Sequence, residues 1–336
     1  GGSDRSWCGG NHDRIRDIVQ GRIGCSSSRL HLFPNAHRNM KRHLPDQNDP
    51  SVSSLADPTV PGGVYLCQVN RQVSCAACCG LYNVADAAYG PLVSMLSERT
   101  KDFARVPRQA DAIAAFGQGA QTRCGTGPFK DFHHCPFVGL IGEEHRRVGC
   151  LLHPHAAGNH GVDYRGLSYY GGMACRLYFC PAHSKLSAVV KTVVRESAVS
   201  WYEYGLIVSE TRLLSEFFKA LEERLGSPLT AADILNREEC RQIVASVLRL
   251  KIDWPFRRRP DPGPCNYVFD DNLYPKPAVG YPPLTTTLSP YDILLKELLS
   301  GFNTPAELEL AERILADLIE NLARGILAGR HTQPLI

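Results

Sequence analysis

Cysteine is the residue type that most constrains this chain. Thirteen of its 336 residues are cysteines, and seven of these fall in four short blocks between residues 75 and 180. No stretch near the N-terminus has the apolar core of a signal peptide, and no run of about 18 apolar residues could span a membrane. We therefore expect a cytoplasmic chain without disulfides, in which clustered thiols serve metal or redox chemistry.

The remaining composition is that of an ordinary globular protein. Hydrophobic residues make up 43% and charged residues 21% of the chain, which excludes a chain that is disordered throughout. Glycine and proline occur without a period, so a collagen-like rod is excluded as well. The formal net charge of +3 is too small to indicate a nucleic-acid partner. The sequence identifies no other partner.

The sequence divides into five predicted segments. Residues 1–62 contain no Glu and few apolar residues, which is typical of a disordered segment or of sequence foreign to the native protein. A cysteine-rich region, a helical region, a proline-rich connector and a C-terminal helical hairpin follow. Their predicted bounds are 63–183, 184–253, 254–288 and 289–336.

Apolar residues at helical spacing predict most of the secondary structure. Predicted helices cover residues 86–103, 107–116, 184–204, 209–225 and 230–248. Gly226 stands where a helix C-terminus is expected, and Thr230 with Asp233 forms a capping-box pattern. Ser289 and Thr304 each precede a proline and an acidic residue, which predicts two further helix starts.

The stretch from residue 125 to 172 differs from the rest of the chain. It is rich in Gly, His and Tyr and has no clear periodicity, so we expect irregular loops or short strands. The predicted fold class is therefore mainly α, a helical bundle with an irregular cysteine-rich region that binds metal.

The four cysteine blocks carry the functional prediction. Cys75-Ala-Ala-Cys78 is a Cys-x-x-Cys pair, which can direct two thiolates toward one metal ion. The adjacent Cys78 and Cys79 suit a cluster, two metal ions, or one ligand beside one buried thiol. The predicted metal ligands are Cys75, Cys78, Cys79, Cys135, Cys150, Cys175 and Cys180.

Several neighbouring residues are candidates for the same site. His153 and His183 each follow a block cysteine by three residues, and imidazole is a good zinc or iron ligand. Either histidine could equally be a loop residue that makes ordinary hydrogen bonds. Arg176 stands between two predicted ligands and would bind the cofactor by offsetting thiolate charge, or form a plain salt bridge. Cys67 and Cys124 lie near the blocks but outside the predicted ligand set.

The order of these blocks resembles a known family. CxxCC, CPF, GCxxHP and CRxxxC, in that order over residues 75–180, are similar to the blocks of the YkgJ-like cysteine-cluster proteins, described as zinc- or iron-chelating domains. The resemblance covers about a third of the chain and implies metal chelation by the block cysteines. The opening block has three cysteines where the family has four, and long inserts separate the blocks, so the number of ligands stays open.

Spacing alone does not decide between zinc and an iron–sulfur cluster, since both take four thiolates. The predicted function is a metal-binding protein whose centre is structural or carries electrons. One alternative is an enzyme, either a redox enzyme or a methylase, because flagellin lysine methylases are similar in carrying such a cluster. Two others are buried free cysteines and a redox dithiol at Cys75 and Cys78. No GxGxxG, Walker, GxSxG or HExxH motif points to another chemistry.

Overall fold

The computed structural model describes residues 59–129, 132–258, 276–283 and 285–332. The part of the chain so described is mainly helical, which confirms that part of the predicted fold class. Residues 1–58 of the predicted N-terminal segment lie outside the described residues, together with residues 259–275 of the predicted connector. No helix within those described ranges is both long and apolar enough to cross a membrane.

Two helices and a β-hairpin form the first layer of the fold. They are α1 (Tyr89–Ala104), α2 (Ala110–Arg123), β1 (Val138–Ile141) and β2 (Arg147–Cys150). The strands pair antiparallel with Val138 opposite Cys150, and α1 packs on β1. Helix α1 starts three residues later than predicted because the Asp86 carboxylate accepts the Ala88 amide and holds the chain in a turn.

The predicted cysteine-rich region, residues 63–183, contains this hairpin and several short helical turns. Single 3₁₀ turns cover Ala77–Cys79 and Arg165–Leu167, and a two-turn helix, α3, covers Gly171–Leu177. Gly80 ends the first of these turns at φ 74°, a left-handed conformation that glycine adopts without strain. Turns of this length place several cysteines close together while leaving little regular structure between them.

The helix predicted over residues 184–204 is three separate helices. They are α4 (Ala182–Lys185), α5 (Ala188–Glu196) and α6 (Trp201–Val208). Ser187 and Ser200 both adopt an extended backbone, and their hydroxyls accept the amides of Val190 and Glu203. A serine with this geometry caps a new helix rather than continuing the previous one. The apolar periodicity was correct, but these two internal caps were missed.

The helix predicted over residues 209–225 is a single helix, whereas the one predicted over residues 230–248 is divided into two. Helix α7 (Thr211–Leu225) ends at Gly226, which has φ 67° as its C-cap position requires. Thr230 and Asp233 form the predicted capping box at the start of α8 (Ala231–Leu235). The chain then becomes extended at Arg237 before α9 (Glu238–Asp253) begins.

Two helices complete the described fold, α10 (Asp292–Glu297) and α11 (Pro305–Thr332). Thr304 accepts the Glu307 amide at 3.3 Å, and the Glu307 carboxylate accepts the Asn303 amide at 2.6 Å. Helix α11 packs on α7 and α9, and α10 packs on α7. The helix start predicted at Thr304 is therefore confirmed.

Two apolar cores hold these elements together. The first unites the later helices α5 to α11 with the segment 64–73, and Phe217, Leu295 and Leu315 are fully buried in it. The second lies between α1, α2 and the hairpin and contains Leu92 and Val148. Cys75 packs against both cores, so the first cysteine block lies where they meet.

A buried ion-pair network anchors residues 276–283 to the helices. Glu210 is fully buried between α6 and α7 and accepts hydrogen bonds from Lys251 at 2.6 Å and from Lys276. Lys276 also donates to Glu297 at 2.8 Å. Burial opposes ionisation of Glu210, but the two ammonium groups outweigh it and lower the pKa of this carboxyl. Each charge in the network therefore depends on its partners.

Replacement of Glu210 by Gln tests this dependence. The change removes the carboxylate that faces the buried Lys251 ammonium at 2.6 Å, so we expect the free energy of unfolding to fall by about 3–5 kcal/mol. Urea denaturation measures the loss. Glu320→Gln is the matched control, because its ion pair with Arg224 is exposed and should contribute less than about 1 kcal/mol. Equal losses of unfolding free energy in both variants would contradict the stabilising role that we assign to Glu210.

Candidate metal centre

The seven predicted ligands come from four separate segments, each of which packs against one or both of the two cores. Cys75 contacts both cores, Cys78, Cys79 and Cys150 pack against the second, and Cys180 packs against the first. All of the cysteines in the described ranges are free thiols.

Cys67, which was left out of the predicted ligand set, lies directly beside Cys75. The Cys75 amide donates to the Cys67 carbonyl at 2.8 Å, and an antiparallel bridge pairs Gln68 with Ser74. This register places Cys67 opposite Cys75. A signal was present in the sequence, because the polar run Asn70 to Gln72 between two apolar stretches is typical of a tight turn.

Arg195, from α5, fixes the segment that carries Cys67. Its guanidinium donates to the carbonyl oxygens of Tyr65, of Gln68 at 2.9 Å and of Val69 at 2.8 Å. The side chain is buried, so each of these charged hydrogen bonds lies away from water and is stronger than an exposed one. Arg195 therefore ties a chain segment with no regular structure to a rigid helix.

His183 connects the same segment to Cys180. Its Nε2 accepts the Leu66 amide at 3.2 Å, which puts the ring proton on Nδ1. Nδ1 lies 3.3 Å from the Cys180 carbonyl oxygen and 3.7 Å from its sulfur. Burial lowers the pKa of His183 to about 4. The ring is thus neutral and both its nitrogens are engaged, so His183 orients Cys180 and does not act as a ligand in this arrangement.

The second and third blocks meet through the backbone. The Cys135 amide donates to the Cys79 carbonyl at 2.8 Å. Cys150 pairs with Val138 across the hairpin, and the Leu151 amide donates to the Phe137 carbonyl at 2.8 Å. The hairpin therefore sets Cys150 beside the segment that begins at Cys135, and both lie next to Cys79.

Cys175 lies on α3. It is exposed, and its sulfur lies 3.1 Å from the Ser168 hydroxyl. Two arginines lie near the thiols. The charges of Cys150 and Cys175 help to raise the pKa of Arg165 after the larger effect of Asp163, and Arg99 donates to the Cys135 carbonyl at 3.5 Å. Arg176, the predicted cofactor-binding residue, is half exposed and pairs with Asp163 at 3.0 Å.

Electrostatics divides the cysteines into two groups. The first, which we call the Cys67 group, comprises Cys67, Cys75, Cys78 and Cys180. Burial is the largest cause of a raised pKa at Cys67 and Cys75, and the charges of Cys78 and Cys180 raise it further. Burial, followed by the charge of Cys78, raises the pKa of Cys180 to about 11.

The second, which we call the Cys79 group, comprises Cys79, Cys135, Cys150 and Cys175. Burial raises the pKa of Cys135 to about 12 and that of Cys150 to about 11, and the charge of Cys175 raises both further. The Cys79 thiol donates a hydrogen bond to Cys78, which raises the pKa of Cys79 and lowers that of Cys78. This bond between consecutive residues is where the two groups meet.

Two other candidates lie outside these groups. The Nδ1 of His153 accepts the His155 amide at 3.2 Å, and its ring packs beside that of His155. Cys124 is buried, accepts a hydrogen bond from Arg99, and donates to the Ala120 carbonyl at 2.9 Å. Both side chains therefore have protein partners away from the block cysteines.

Within the residues that the structure describes, no three His, Cys, Asp or Glu side chains converge closely enough to hold a metal ion as they stand. The cysteine segments are neighbours, but in the described ranges no three of the sulfurs converge on one point. A cavity of about 340 Å³ lies near the second core, with Asn83, Gln121 and His134 in its lining. His153 is not among the residues that line it.

Comparison of the chain with protein-family descriptions, with curated proteins and with solved structures gives no match.

Arg195→Met tests how the Cys67 segment is held. Loss of the charged hydrogen bonds should lower the free energy of unfolding by about 3 kcal/mol and leave buried carbonyls without donors. Denaturation measures the loss, and the rate of Cys67 alkylation, followed by peptide mass spectrometry, should rise. Arg224→Met, at an exposed ion pair, is the control and should change neither quantity measurably. An unchanged rate of Cys67 alkylation in Arg195→Met would show that these hydrogen bonds are not needed to hold the Cys67 segment.

Proposed function

We propose that this chain is a metal-binding cysteine-cluster protein. Its thiolates would hold a zinc ion or an iron–sulfur cluster in a structural or electron-carrying role. Zinc would supply folding free energy, and an iron–sulfur cluster would supply one-electron chemistry. The proposal places the chain in a reducing compartment such as the cytoplasm, where free thiols persist.

One observation carries the proposal: backbone contacts bring free cysteines from distant segments beside one another, and one of them, Cys75, packs against both cores. Burial and neighbouring charge oppose ionisation of most of them, as at Cys75 and Cys135. A bound cation removes this barrier to ionisation, because metal coordination deprotonates thiols outright. The donor set of clustered thiols fits zinc and iron–sulfur centres better than it fits hard cations.

The alternatives account for less of the arrangement. Cysteines that serve as small hydrophobes lie singly in a core, as Cys240 does on α9. A redox dithiol needs two cysteines, and the Cys75 and Cys78 pair has six further thiols around it. An enzyme would need a substrate pocket at the centre, and the cavity beside Asn83 has none of the block cysteines in its lining.

Metal analysis of the full chain tests the proposal. Protein purified anaerobically under reducing conditions should contain either zinc, without colour, or iron and sulfide with a broad visible absorption band. Cys75→Ala, which removes the thiol that touches both cores, should lower the metal content at least twofold. Elemental analysis and the visible spectrum measure both results.

Cys240→Ala is the matched control, since it removes a buried cysteine remote from the blocks. It should retain the metal content of the unchanged chain. A folded protein free of metal would defeat the proposal. Equal metal contents in Cys75→Ala, Cys240→Ala and the unchanged chain would defeat it as well.

A further inference from the structure

The number of thiols at the junction exceeds what one centre uses. A structural zinc site and a cubane cluster each take four thiolate ligands, whereas nine free cysteines lie between residues 67 and 180, and eight of them belong to the Cys67 and Cys79 groups. Cys124 is set apart by its contacts with Arg99 and Ala120. Eight divides evenly into two sets of four, and the backbone shows where the division lies.

Three members of the Cys67 group are joined by short backbone paths. Cys67 and Cys75 face each other across the antiparallel bridge and share a 2.8 Å hydrogen bond. Cys180 is brought to them by His183, whose ring accepts the amide of Leu66, the neighbour of Cys67. Cys78 follows Cys75 by one 3₁₀ turn, the spacing of a Cys-x-x-Cys pair. Cys75 and Cys180 pack against the first core, and Cys75 and Cys78 pack against the second.

The Cys79 group is assembled by different elements. The Cys79 carbonyl accepts the Cys135 amide, and the hairpin register sets Cys150 beside the same segment. Cys175 is assigned to this group from α3, where its sulfur lies 3.1 Å from the Ser168 hydroxyl. These elements belong to the second core or to its outer face.

The charges follow the same division. Cys78 acts on Cys67, Cys75 and Cys180, whereas Cys175 acts on Cys135 and Cys150. The pKa of Cys79 is raised both by Cys78 and by the charges of Cys135 and Cys150. The two groups therefore adjoin at consecutive residues, one on each side of the peptide bond between Cys78 and Cys79.

We propose that the chain holds two thiophilic metal centres, one on each group. The first takes Cys67, Cys75, Cys78 and Cys180, and the second takes Cys79, Cys135, Cys150 and Cys175. This inference rests on the proposed function and adds Cys67 as a ligand. Rotation of cysteine side chains between staggered rotamers turns the sulfurs of each group toward their own ion. Each zinc ion replaces thiol protons, which are released to solvent, without any change in oxidation state.

The two centres differ in access to solvent. Cys67, Cys75, Cys78 and Cys180 are all at least half buried, whereas Cys175 is exposed on a two-turn helix. The first centre is therefore enclosed, and the second has one ligand on a short exposed element. We expect metal to leave the second centre first when a chelator is added.

The test counts metal on the full chain after removal of two ligands from one centre. The metal-free, reduced protein is loaded anaerobically with zinc, and in a parallel arm with sulfide and equal amounts of ferrous and ferric iron, the two valences that a [4Fe–4S]²⁺ cluster contains. The unchanged chain should bind two zinc ions or two clusters. Cys67→Ala with Cys180→Ala should bind one, Cys150→Ala with Cys175→Ala should bind one, and all four changes together should bind none. Circular dichroism confirms that each variant is folded.

The outcomes separate this inference from the function on which it rests. One bound metal that both double variants abolish would show a single shared centre, which overturns the two-centre proposal and leaves the proposed function standing. Two bound metals in the Cys67 and Cys180 variant would remove those residues from the ligands and overturn it too. No metal on the unchanged chain would defeat the proposed function itself. Cys240→Ala should bind two metals, as the unchanged chain does.

Discussion

The burial of many thiols in one place is the constraint on which the rest of the structure depends. A thiol that ionises away from water and beside other thiolates loses solvation and meets repulsion, and both effects raise its pKa. Cys67, Cys75, Cys79 and Cys135 all show this pattern. These effects keep the buried thiols neutral unless a bound cation, as we propose, offsets the thiolate charge.

Polar side chains from the helices hold the cysteine segments in position. Arg195 binds three carbonyls around Cys67, His183 links Leu66 to Cys180, and Lys191 donates to the carbonyls of Gly62 and His183 at 2.7 and 2.8 Å. The contacts of Arg195 with Gln68 and Val69, of His183 with Leu66 and of Lys191 with Gly62 join segments more than a hundred residues apart. The helical part of the fold thus serves as a rigid frame for irregular segments that could not order themselves.

The sequence predicted the helices well wherever local signals were strong. Thr230 with Asp233, Gly226 and Thr304 mark helix ends through side-chain or backbone chemistry that acts over three or four residues. Ser187 and Ser200 use the same chemistry, but they lie inside a continuous apolar pattern that suggested one helix. Periodicity alone does not reveal a cap within such a pattern.

The candidate site was harder to predict from the sequence than the helices, because tertiary contacts determine which residues it contains. The block cysteines were found from their spacing, whereas Cys67 and Arg165 acquire their places from a bridge between segments and from a turn that no motif marks. Arg176, which the sequence placed at the thiols because it lies next to Cys175, instead pairs with Asp163. Adjacency along the chain does not fix the direction of a long side chain.

X-ray absorption at the metal edge tests the central claim most directly. The full chain, purified anaerobically, should show about four sulfur neighbours per metal at roughly 2.3 Å and no nitrogen or oxygen neighbours. That result would mean that thiolates, and no histidine, hold the metal. A first shell containing nitrogen or oxygen, or a protein without zinc or iron, would contradict the account.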